Sequence, residues 1–111
     1  MARKQQKSQP VQLLGVCGAF QGQSYPISQG EKVCIGRVEG MCQVVIVFDK
    51  ISRQHCTVEY SGVAGMYVVT DHSTNGTYVD DRRRLPEKEA KFVPRGTVLS
   101  LGTSENRVKL C

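Results

Sequence analysis

Apolar residues in this chain come only in short bursts, and nearly every burst is closed by a glycine or a proline. Gly30, Gly36, Gly40, Gly62, Gly65, Gly76, Pro86, Pro94, Gly96 and Gly102 interrupt the pattern, and both residue types break regular elements. What lies between them has the length of strands: residues 11–16, 23–27, 32–35, 44–48, 56–60, 66–70, 77–79, 91–93, 97–101 and 107–110. In 56–60, Cys56, Val58 and Tyr60 alternate with Thr57 and Glu59, which is the period of a half-buried strand. Residues 44–48 are continuously apolar and read as a strand buried on both faces. The best helical segment is 86–91, and a single turn is not stable without packing. About ten or eleven short, mostly antiparallel strands therefore predict an all-β fold, a sandwich or a barrel.

At 111 residues the chain has room for one domain. Residues 1–9 are polar and unpatterned and read as a flexible basic lead or an expression remnant, with the folded domain over 10–111. The formal charge is +5, but Arg3, Lys4 and Lys7 lie in the first ten residues with no acid among them, which leaves +2 for the rest. A near-neutral body with three Phe, four Tyr and no Trp argues against nucleic acid as a partner. The longest apolar run, 44–48, has five residues, whereas a membrane-spanning helix needs about twenty. No secretory leader is evident, so the expected location is cytoplasmic. Cys17, Cys34, Cys42, Cys56 and Cys111 are odd in number and form no Cys-x-x-Cys pair. They read as reduced thiols, mostly filling the core, and their spacing does not suggest a metal site.

Three loops carry polar residues that a core does not need. They are Gly36-Arg37, then Ser52-Arg53-Gln54-His55, then Asp71-His72-Ser73-Thr74-Asn75-Gly76-Thr77. Alternate connections of a sandwich lie at one end, so these loops can converge on one rim. Together they offer two guanidinium forks, four hydroxyls and an amide, with no carboxylate beyond Asp71. That inventory suits an anion with several oxygens, phosphate first among them.

In this order and spacing, Gly36-Arg37, Ser52-Arg53-x-His55 and Asp71-x-Ser73-Thr74-Asn75-Gly76-Thr77 resemble the forkhead-associated (FHA) domain, with Val98-x-Ser100-Leu101-Gly102 similar to the family's closing strand and turn. The resemblance extends over roughly residues 11–111. It implies a β-sandwich that binds phosphothreonine in partner proteins through loops at one end. On that resemblance Arg37, Ser52, Arg53 and Thr74 contact phosphate, and Asn75 holds the peptide main chain. Gly36, His55, Asp71 and Gly76 support the loops. Lys50 is placed to read an acidic side chain three positions after the phosphothreonine. A Ser/Thr kinase upstream is implied, as is a monomeric domain with no cofactor and no membrane or nucleic-acid partner.

An enzyme is the first rival. The sequence has no phosphate-binding P-loop, no HExxH and no GxSxG, so no catalytic residue is assigned. The second rival is the same fold used for phosphate-independent docking or oligomerisation. The basic run Arg82-Arg83-Arg84 is bracketed by Asp80, Asp81, Glu87 and Glu89 and reads as a solvated hairpin.

Overall fold

A computed structural model describes residues 11–111; the expected lead over 1–9 lies outside the described residues. Eleven strands run in chain order through this part: β1 (Gln12–Cys17), β2 (Ser24–Pro26), β3 (Lys32–Gly36), β4 (Val44–Val45), β5 (Cys56–Ser61), β6 (Met66–Asp71), β7 (Thr77–Val79), β8 (Arg83–Arg84), β9 (Lys91–Pro94), β10 (Val98–Leu101) and β11 (Arg107–Leu110). One sheet has the order β9-β6-β5-β3-β4, the other β2-β1-β11-β10-β7-β8. Every pairing is antiparallel except β3 with β4. The expected all-β sandwich is what forms.

Alternation within the strands builds the core. Cys56 and Val58 of β5, Tyr67 and Val69 of β6, and Val108 and Leu110 of β11 are fully buried, while Lys109 between the last two is exposed. Leu13, Leu99 and Leu101 join the same cluster from the second sheet. The phase of β6 also carries its last residue, Asp71, into the interior. Tyr67 fastens the layers with its hydroxyl, which donates to the carbonyl of Cys111 at 2.7 Å and that of Gln12 at 3.3 Å.

One sequence expectation needs correction. Residues 44–48 are not one strand buried on both faces. Only Val44 and Val45 pair, on β3, and β4 is a sheet edge. Ile46 is buried, but Val47 is 73% exposed, since pairing stops at Val45 and the chain beyond it has left the sheet. As expected of a single turn, the segment 86–91 forms no helix. Lys88 has φ of 62°, and its N–H donates to the Asp71 carbonyl at 2.7 Å, so the backbone is committed to bracing β6. The arginine run does form a hairpin arm, β8, exposed and paired with β7.

Gly36 closes β3, His55 precedes β5, Asp71 closes β6, Thr77 opens β7 and Gly102 follows β10. These positions all lie at one end of the sandwich, where the polar loops meet.

Candidate functional site

The loop ends are tied to one another by backbone bonds before any side chain contributes. The Arg37 N–H is shared between the carbonyls of Ser52 and Arg53, at 3.0 and 3.1 Å. The Gly102 N–H donates to the Gly76 carbonyl at 2.8 Å. The first closure needs glycine at position 36, because a Cβ there would sit 2.1 Å from the Arg53 carbonyl oxygen. At Gly76 the φ of 98° favours glycine as well.

His55 is fully buried between two loops. The Ser52 N–H donates to its Nδ1 at 3.1 Å, so Nδ1 is the unprotonated nitrogen and Nε2 donates to the Gly76 carbonyl at 2.8 Å. Burial holds the pKa of this ring below 6.5, against the raising effects of the Gly76 carbonyl and of Asp71. Between that folded value and 6.5, the unfolded chain accepts a proton that the folded chain refuses. Stability is therefore full above this interval and falls as the pH drops through it. Thermal melts taken from neutral pH downward should show this slope in the native chain. A variant carrying His55→Asn, which has no ring to protonate, should lose it; equal slopes would remove His55 as the cause.

Asp71 organises the third loop. Its Oδ1 accepts from the Ser73 N–H at 3.2 Å, the Ser73 hydroxyl at 2.6 Å and the Thr77 hydroxyl at 2.7 Å. Ser73 Oγ in turn accepts from the Gly76 N–H at 2.7 Å. The charge of Asp71 is thus turned inward, away from the rim.

The rim holds an open groove of about 590 Å³, lined by Arg37, Ser52, Arg53 and Thr74 and, beyond the residues singled out from sequence, by Cys34, Met41, Gln54, Thr57 and His72. Among the described residues no carboxylate lines it. Arg37 is exposed, and its Nε donates to the Ile51 carbonyl at 2.9 Å, so that among the described residues both Nη groups are free to meet an anion. Ser52 Oγ accepts from the Thr74 N–H at 3.1 Å, and its own proton remains available to donate. Asn75 and Lys50 stand beside the groove rather than in its lining. The Asn75 side-chain amide donates to the Lys50 carbonyl at 3.0 Å, keeping Oδ1 and one N–H for a ligand. Among the described residues, no three His, Cys, Asp or Glu side chains gather as metal ligands.

Sequence reasoning missed part of this surface. Thr57 lies opposite Cys34 in the β3–β5 register, and its outward phase in the alternation of β5 was the available signal. His72 reaches the Thr57 hydroxyl at 3.3 Å. Arg84 lies near in space, with Nη2 donating to the Thr74 carbonyl at 3.3 Å. Nothing in a run of three arginines distinguishes that one.

The family model of the FHA domain matches residues 33–102. The MEK1 FHA domain in complex with a phosphothreonine peptide of HOP1 is 26% identical, with a TM-score of 0.75, over 90% of this chain and 93% of that one. The FhaA FHA domain complexed with the intracellular domain of Rv3910 is 25% identical, with a TM-score of 0.70, over 89% of this chain and 97% of that one. The FHA domain of the CT664 protein from Chlamydia trachomatis has a TM-score of 0.78 at 20% identity, over 91% and 95% of the two chains. No curated protein matches the sequence.

Proposed function

This chain belongs to the FHA domain family, and from that membership we propose that it is a non-enzymatic module that binds phosphothreonine in partner proteins. The observation that carries this reading is the groove itself. Two arginines, a serine with a hydroxyl proton to give and Thr74 meet there without a single carboxylate. A phosphothreonine brings about −1.5 to −2 charge at neutral pH, and guanidinium forks recognise such oxygens in pairs. The similar domains bound to a phosphothreonine peptide and to a partner's intracellular domain support the same use.

In this reading Arg37 is the main phosphate ligand. Ser52 donates its hydroxyl, and Arg53 and Thr74 complete the contact. Asn75 grips the peptide main chain through an amide that both donates and accepts. Lys50, adjacent to the Asn75 amide through its carbonyl, reads an acidic side chain three positions after the phosphothreonine. Gly36, His55, Asp71 and Gly76 hold the loops in place. The partner requires a Ser/Thr kinase to make the mark, which points to a cytoplasmic setting. Among the described residues no helix is long and apolar enough to cross a membrane. The domain acts as a monomer and does not bind nucleic acid.

The test is a titration of matched threonine and phosphothreonine peptides. Binding should require the phosphate and should weaken below about pH 6, where the second phosphate proton returns. Equal binding of both peptides would instead favour a phosphate-independent docking module on the same fold. With an acid at the third position, Lys50→Ala should erase any preference for it.

A further inference from the structure

We propose that Cys34 and Cys42 are a redox-active dithiol, oxidised to an intramolecular disulfide that crosslinks the base of the Arg37 loop and weakens ligand binding at the groove. The effect on binding rests on the phosphothreonine reading; the crosslink itself does not.

The two sulfurs lie 2.8 Å apart, both largely buried. The backbone brings them together independently of the thiols. The Gln43 N–H donates to the Cys34 carbonyl at 3.1 Å, and the Cys34 N–H donates to Gln43 Oε1 at 2.7 Å. Residues 35–41, with Arg37 among them, form the ring that a bond between these sulfurs would close. Cys34 also lines the groove. The other side of the pair faces the phosphate loop, since the Cys42 thiol donates to the Arg53 carbonyl at 3.2 Å.

Oxidation changes that last contact. A disulfide needs sulfurs about 2.05 Å apart, so the pair must close further. Cys34 is held in β3 between two strands, whereas Cys42 sits in a loop, so Cys42 is the partner that moves. It then leaves the Arg53 carbonyl and has no proton left to donate to it. The crosslink thus stiffens the Arg37 loop and removes one of its ties to the neighbouring loop of Ser52 and Arg53, leaving the shared Arg37 N–H as the backbone link between them.

The oxidant is of the peroxide class. One thiol attacks hydrogen peroxide to give a sulfenic acid and water. The second sulfur then attacks the sulfenic sulfur, expels hydroxide and loses its proton, so that a second water forms with the disulfide. Burial pushes the Cys34 thiol up to about 12, which keeps thiolate scarce at neutral pH and makes the reaction slow without sustained oxidant.

The test treats the reduced chain with hydrogen peroxide, alkylates the remaining thiols and maps the peptides by mass spectrometry. A Cys34–Cys42 crosslink lighter by two hydrogens is expected, reversed by dithiothreitol. The crosslinked chain should melt ~5–10 °C higher and bind the phosphothreonine peptide about threefold more weakly or worse. Cys34→Ser and Cys42→Ser, made separately, should each abolish the crosslink and the thermal shift. Full alkylation of both thiols after peroxide, oxidation that stops at a sulfinic acid on one of them, a crosslink formed only with Cys17 or Cys111, or equal affinity of the two forms would overturn the proposal. If neither form binds the peptide, the phosphothreonine reading fails, and the mapped crosslink and thermal shift still decide the dithiol.

Discussion

Replacing Arg37 with alanine is expected to weaken binding of a phosphothreonine peptide by about 100-fold or more, with a shift of only a few degrees in the thermal midpoint. The asymmetry comes from what the side chain touches. Within the fold it makes one hydrogen bond, from Nε to the Ile51 carbonyl, at an exposed position. Losing a bond of that kind costs ~0.5–1.5 kcal/mol. Toward the groove it offers the Nη groups, and each charge-assisted bond to phosphate is worth ~1.5–3 kcal/mol. Two of them account for the predicted loss. Arg37→Lys keeps the charge but not the fork, so it should recover only part of the affinity. Calorimetry on the three chains checks this, with melting curves as the control. Retained affinity in Arg37→Ala would remove this residue from the site.

Replacing His55 with alanine should have the opposite signature, a loss of ~3–5 kcal/mol of stability that carries binding down with it. The ring is fully buried, and its removal leaves a cavity. It also strands the Ser52 N–H, which the ring accepts at 3.1 Å, and takes from the Gly76 carbonyl one of its two donors, leaving the Gly102 N–H. A stranded polar group costs ~1–3 kcal/mol, and the lost ring was also the brace between two phosphate-site loops. At ~4–8 °C per kcal/mol the midpoint falls by ~12 °C at least. Denaturant unfolding measures the loss directly. A variant that is destabilised by less than about 1 kcal/mol would mean that the loops hold their places without this brace.

Much of this was legible in the sequence, for reasons that vary from place to place. Strands β5, β6 and β11 declare themselves because one face is buried and the other is not, so residues such as Val108, Lys109 and Leu110 alternate. The polar loops stand out because Arg37, Ser52 and Asn75 have no use in a core. Residues 44–48 misled because an apolar run does not say where strand pairing stops, and here it stops at Val45, leaving Val47 exposed beyond it. Strand β8 has just two residues, both arginines, and carries no apolar signal at all. The groove walls formed by His72 and Thr57, and the nearness of Arg84 to Thr74, depend on how distant segments meet. No local pattern encodes that.

The pairing at the far end of the sandwich has a consequence for how such a unit combines with other chains. The Cys111 N–H donates to the Gln12 carbonyl at 2.9 Å, and Tyr67 clasps both of those residues from within. The start and finish of the described fold are therefore neighbours, about 5 Å apart as hydrogen-bonded strand residues are, and both point away from the recognition loops. A fold arranged in this way can be spliced into a surface turn of an unrelated protein without prying that turn apart. Its grip on a ligand would then face outward, whatever the host.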